Sequence, residues 1–175
     1  MRILFLIFLL FSSKVFAQNT ANSTVSFALP SVSLLDLAPD RNSFTLTFVA
    51  PTEAGNVITS TSTNNTKWLN FTSAVPPLVT RKITAHLAGT IPYGVNIVVN
   101  VANVAGSGAG VRGNPVSPVV LSSTPQAIVN GIGGAYTGDG SSQGYQLTFS
   151  LGIGDFSQIR NQTANTTVVY TLADN

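Results

Sequence analysis

The chain alternates apolar and polar residues over short stretches that are broken by Pro, Gly and Asn. The clearest case is Tyr145–Ile153, where Tyr145, Leu147, Phe149, Leu151 and Ile153 alternate with Gln146, Thr148, Ser150 and Gly152. A period of two is the mark of a strand with one face on a core. In Thr166–Leu172 every residue before Leu172 is β-branched or aromatic, and one polar turn separates this run from the first, so the pair reads as a C-terminal hairpin. Ser43–Ala50 reads as another strand, with Phe44, Leu46 and Phe48 inward. Arg81–Leu87 and Val95–Val104 alternate in the same way, and Val116–Ser122 and Gln126–Ile132 are shorter runs around Pro125. Thr66–Thr72 places Lys67, Leu69 and Phe71 on one face and Trp68, Asn70 and Thr72 on the other, and the pattern leaves the choice of core face open.

Near the start, Val25, Phe27 and Leu29 alternate with Ser26 and Ala28, Pro30 interrupts, and Val32–Leu37 resumes. This reads as two short strands meeting at a kink, because proline within a sheet belongs at an edge, a bulge or a strand start. Ala105–Pro115 and Gly133–Gly144 read as mobile glycine-rich loops. No 3.6-residue period persists over ten residues beyond the N-terminal segment, and Asp155–Arg160 is at most a turn or two of helix. Eight to ten short strands with such punctuation predict an all-β fold, an antiparallel immunoglobulin-like sandwich without disulfides.

The first 17 residues change the bookkeeping. Arg2, the apolar run Ile3–Phe11 and Val15-Phe16-Ala17 have the layout of a secretory signal cleaved after Ala17. Nine apolar residues fall short of the roughly 20 that span a bilayer, so no stable membrane span is expected. One domain follows, residues 18–175, opening with an arm at residues 18–30. Of eight Lys and Arg residues, Arg2 and Lys14 leave with the signal, so six basic residues face six acidic ones. The surviving cations are scattered, which argues against nucleic acid as a partner. With no cysteine, a secreted chain of this size must be held by burial and sheet hydrogen bonds, or completed by a partner.

Candidate chemistry is sparse, and no catalytic, metal or cofactor residue is assigned. His86 is the single histidine, it shares a polar strand face with Lys82 and Thr84, and no nucleophile elbow accompanies it. Gly106-Ser107-Gly108-Ala109-Gly110 lacks the helix that a phosphate cradle needs after it. Gly138-Asp139-Gly140 lacks the dense oxygen ligands of a calcium loop. The carboxylates are dispersed, so this is not read as an enzyme. Five Asn-x-Ser/Thr triplets, at Asn22, Asn64, Asn70, Asn161 and Asn165, follow from a composition rich in those residues. Trp68, with Asn70 beside it on its strand face, is the candidate ligand contact; a Trp there either platforms a sugar or covers an end of the sandwich or a subunit contact.

The closing run Thr166-Thr167-Val168-Val169-Tyr170-Thr171-Leu172, together with the arm carrying Val25, Phe27 and Leu29, resembles bacterial pilin-type subunits of the spore-coat-protein-U-like, archaic chaperone–usher kind. The resemblance covers about the last 30 residues and the first dozen after the signal. It departs from the family in the absence of cysteines and in the five residues that follow Tyr170. It implies an incomplete immunoglobulin-like fold that is completed by a strand from the next subunit, a case of β-strand addition. It further implies a secreted or surface location, and as partners other copies, other surface subunits and a periplasmic chaperone. On this reading Val25, Phe27 and Leu29 form the assembly strand, and Val168, Tyr170 and Leu172 the C-terminal seam. The competing expectation is a monomeric extracellular binding module, for carbohydrate, that uses Trp68 and loop residues.

Overall fold

A computed structural model describes residues 20–175; the proposed signal segment and its cleavage site lie outside the described residues. Two antiparallel sheets, of seven and four strands, face each other across a single apolar core. No helix among the described residues is long and apolar enough to cross a membrane. The protein is an antiparallel β-sandwich, as the alternation predicts, with eleven strands among the described residues, of which three are only two residues long.

The larger sheet contains β1 (Val32–Ala38), β2 (Thr63–Ala74), β4 (Val95–Val101), β5 (Ala109–Gly110), β7 (Val119–Leu121), β9 (Ala135–Tyr136) and β10 (Tyr145–Ile153). Its order is β5-β9-β2-β10-β4-β7, and β1 pairs with the opposite edge of β2. The smaller sheet runs β11-β3-β8-β6, from β3 (Arg81–Gly89), β6 (Asn114–Pro115), β8 (Gln126–Ile132) and β11 (Thr166–Asp174). Leu69 and Phe71 of β2, Tyr145, Leu147 and Phe149 of β10 and Val99 of β4 meet Ile83 and Ala85 of β3 and Ile128 and Val129 of β8 in the buried core.

Four sequence expectations are corrected here. The C-terminal pair is no hairpin: β10 lies between β2 and β4 in one sheet, while β11 pairs with β3 in the other. Alternation says that one face is buried, but it carries no information on the neighbour. Val25–Leu29 is not a strand; it forms no ladder, and only Val32–Ala38 beyond Pro30 does. Ser43–Ala50 keeps its alternation, with Phe44, Leu46 and Phe48 half-buried and Thr45 and Thr47 exposed. It is nevertheless not a strand, because its backbone meets a neighbour only at the Val49–Thr59 bridge and through Ser60 Oγ on the Thr47 carbonyl.

The glycine tracts, finally, are built parts of the sheets, Ala109–Gly110 and Ala135–Tyr136 belonging to the larger and Asn114–Pro115 to the smaller. Thr137 is fully buried, its amide donates to the Phe71 carbonyl and its hydroxyl accepts from the Phe71 amide at 2.9 Å. A Cβ at Gly108 would run into the backbone of Tyr136 and Thr137, so glycine there serves close approach between chains of backbone.

The open face choice in β2 is settled by packing. Leu69 and Phe71 face the core, and Lys67 faces it with them, its side chain 6 % exposed. The buried ammonium is satisfied by Asp40, at 2.6 Å to Oδ1 and 3.1 Å to the backbone carbonyl. Hydrogen bonding to Lys67 and to the Asn42 amide holds the Asp40 carboxyl below its ordinary range. The pair pins the chain where it leaves β1 and starts toward Phe44.

Candidate functional site: an open groove and a free arm

At its β11 side the sandwich is not closed. β11 is an edge strand, and among the described residues nothing pairs with its outer edge. Beside it lies a groove of about 790 Å³. Its floor is apolar, from Ile97 of β4 and Phe149 and Leu151 of β10. One wall carries Val168 and Tyr170 of β11, and the other carries Phe44, Leu46 and Phe48 of the unladdered segment. Phe44 is seated on Phe149 with ring centroids 5.0 Å apart, which fixes that wall to the core.

The groove thus has an apolar floor, a lining that also includes Asn42, Ser43, Asn161, Gln162, Asn165 and Thr166, and two lengths of backbone without ladder partners. Its three cations are all engaged within the chain. Arg41 pairs with Asp36 at 2.8 Å, Lys67 with Asp40, and Arg160 donates to the Ser157 and Ile159 carbonyls. An occupant therefore needs no charge; it needs apolar side chains on one face and free amides and carbonyls. Burial pushes the Tyr170 phenol above its ordinary pKa, and the buried Tyr145 hydroxyl is likewise pushed up to about 12, opposed by the charge of Arg112. Both stay neutral at physiological pH.

The candidate seam residues Val168, Tyr170 and Leu172 lie opposite Leu87, Ala85 and Ile83 of β3 and are partly buried against the core. The candidate assembly residues are placed quite differently. Val25 is 82 %, Phe27 91 % and Leu29 79 % exposed, on an arm that joins neither sheet. The arm and the groove lie apart. The guanidinium of Arg81 donates to the Val32 carbonyl, to Ser31 Oγ at 3.1 Å and to Asp174 Oδ1 at 2.8 Å. The root of the arm is therefore held at the Asp174 end of β11, whereas the groove runs from Thr166 to Tyr170.

Trp68 and Asn70 are on the outer face of the larger sheet, away from the groove. Trp68 is half-buried between Ala38 and Gln146 on the neighbouring strands. Asn70 is buried, and both ends of its amide are occupied: Nδ2 donates to the Gln143 carbonyl at 2.6 Å, and Oδ1 accepts from the Gly140 amide at 2.8 Å. It works as a clip on the loop between β9 and β10. Asn70→Ala is expected to cost about 1–3 kcal/mol, the range for buried groups left without partners. Amide exchange at Gly140 and proteolysis within residues 138–143 should rise while the rest of the sheet stays protected.

His86 shares no site with a carboxylate and nucleophile, and its Nδ1 is buried without a partner. Among the described residues no group of three His, Cys, Asp or Glu side chains could hold a metal ion. The groove, the arm and the Arg81 clamp were the parts least visible to motif reading, since none carries a motif. The only sequence signals were the period-two runs at residues 25–29 and 43–48.

The fold and groove define the class: an antiparallel β-sandwich with an open groove beside its β11 edge and, among the described residues, an apolar arm that joins neither sheet. Comparison with protein-family models, with curated proteins and with solved structures returned no match.

Proposed function

We propose that the protein is a secreted or cell-surface structural subunit, of fimbrial or adhesive type, that assembles by β-strand addition. The arm of one copy, with Val25, Phe27 and Leu29 facing inward, fills the groove of the next and extends the smaller sheet beyond β11. The observation that carries this reading is the pairing of opposites on one chain: an exposed, alternating apolar arm and an open apolar groove beside an unpaired strand edge. Each is a liability in isolation, because exposed apolar runs and free edges invite association. Joined, they satisfy each other.

The direction of the arm supports exchange between copies over self-insertion. β1 enters the sandwich at the Asp174 end of β11, so the arm would have to reverse at Pro30 to reach its own groove. Laid there, it would run parallel to β11. A second copy's arm can enter antiparallel, the direction in which ladder bonds are slightly stronger per residue. The arm from residue 18 to 31 contains no charged residue, in keeping with a groove whose cations are already engaged. On this reading a chaperone would protect the groove before assembly, and the chain carries no reaction.

The test is deletion. Protein lacking residues 1–17 should form polymers or high-order species by sedimentation, and further removal of residues 18–29 should leave monomers. A stable monomer from the chain with its arm intact would rule the proposal out.

A further inference from the structure

We infer that the Leu78 tip of one copy packs onto the Ile91, Tyr93 and Phe156 end of the next, forming a second contact that sets the angle between successive copies. This rests on the strand-addition reading above and adds a body-to-body interface to it. Pro76-Pro77-Leu78-Val79 is a tight turn joining β2 to β3, closed by the Val79 amide on the Pro76 carbonyl at 3.2 Å. Proline at the second position and a positive φ at the third give the type II pattern, whose third position favours glycine. Here that position holds Leu78, with φ 67°, fully exposed. A branched side chain in left-handed backbone is strained, and its full exposure leaves no packing among the described residues to offset it. Strain kept at an exposed apolar tip points to use outside the chain.

The length of the arm says where. Only Pro30 and Ser31 separate Leu29 from β1, a span of about 7 Å when extended. With Leu29 in a neighbour's groove, the donor's body must touch the mouth of that groove. The donor surface brought there is its arm-root end, where Ser31 and Val32 are tied to Arg81 and where the Val75–Thr80 turn enters β3. An antiparallel entry puts that end against the Thr166 end of the neighbour's β11.

There the acceptor exposes apolar side chains of its own. Ile91, Tyr93 and Phe156 are 41 %, 67 % and 55 % exposed. They sit on segments locked together: Gln162 exchanges hydrogen bonds with the Tyr93 backbone, and Gly154 and Asp155 donate to the Gly94 carbonyl. The two surfaces stand at opposite ends of β3 and therefore cannot meet within one copy. A parallel entry would instead bring two arm-root ends together where the acceptor's own arm leaves, and would not propagate a chain.

Leu78→Gly, Tyr93→Ser and their combination, made in protein lacking residues 1–17, test this. Leu78→Gly relieves the backbone strain, so its melting temperature should not fall by more than about a degree, which separates folding from assembly. Each single variant should weaken self-association on the order of tenfold in sedimentation equilibrium, and the double should be little worse than either, as for residues sharing one contact. A synthetic peptide of residues 20–31 should bind all variants as it binds the parent. If the peptide binds and both single variants associate like the parent, the inference is overturned and the tip serves a different partner. If the variants lose the peptide as well, the effect lies in the groove and the inference is again overturned. If the peptide binds no form of the protein, strand addition itself fails, and this contact with it.

Discussion

Phe27→Asp is expected to abolish self-association and to leave the melting temperature of the monomer unchanged within about a degree. The second half follows from exposure: Phe27 is 91 % exposed on an arm outside both sheets, so its removal takes nothing from the folded body. Surface changes away from packed features stay within about 0.5 kcal/mol. The first half follows from what the groove contains. A phenylalanine taken out of water there contributes about 1.5–3 kcal/mol. A carboxylate in its place meets Phe44, Phe149 and Tyr170, with Arg41 and Lys67 already ion-paired and the exposed Arg160 held on the Ser157 and Ile159 carbonyls. Burying an unpaired carboxylate adds several kcal/mol of penalty. Together the two exceed about 4 kcal/mol, or roughly a thousandfold in affinity. Ser26→Asp supplies the control, because it sits on the opposite face of the extended arm and would remain in water. Equal loss in both variants would mean that the arm acts through general charge, without strand register, and no loss in Phe27→Asp would remove the arm from assembly altogether.

That contrast depends on a period-two pattern that was legible in the sequence, and the sandwich itself was legible for the same reason. Tyr145–Ile153 matches β10 from end to end, and Thr166–Leu172 lies within β11. What alternation could not supply was partnership. Each strand's buried row is written in its own residues, but the strand beside it depends on connections that cross between sheets, so β10 and β11 were read as neighbours when they belong to opposite layers. Residues 43–48 show the limit more sharply. Their pattern is that of a strand and their side chains behave as one, packing Phe44 on Phe149, yet the ladder is missing because no neighbouring strand lies beside them. On the strand-addition reading the missing neighbour belongs to another copy. The glycine tracts misled in the other direction: composition suggested motion, whereas Gly108 and Gly144 stand where backbones crowd too closely for any side chain. Lys67 hid the core face of β2, since a lysine opposite Trp68 makes either face look half polar until Asp40, 27 residues away, closes over it.

Arg81 was the least legible residue of all, one of six scattered cations on a strand that alternates without it, and its replacement by alanine is the second large effect. Its side chain is 7 % exposed and reaches four acceptors: Asp174 on β11, Ser73 on β2, and Ser31 and the Val32 carbonyl at the root of the arm. One guanidinium therefore joins the two sheets and the arm at a single point, with a planar fork that lysine cannot reproduce. Arg81→Ala strips partners from acceptors that are shielded from water and leaves a void between layers, at an expected cost of about 3 kcal/mol. For a domain of this size that lowers the melting temperature by about 6–12 °C. The consequence for assembly is separate and can be separated experimentally. The free arm peptide should still bind the groove of Arg81→Ala at temperatures where the body is folded, because the groove's lining does not include Arg81. Self-association of the intact chain should nevertheless weaken, since an arm whose root is loosened must be ordered again each time it inserts. Arg81→Lys should recover part of the melting temperature through its charge on Asp174 and less of the assembly, because a single ammonium cannot hold Ser31, Val32 and Asp174 at once. Equal recovery of both would mean that the clamp acts through stability alone, and that the direction in which the arm leaves the body is not fixed at Arg81.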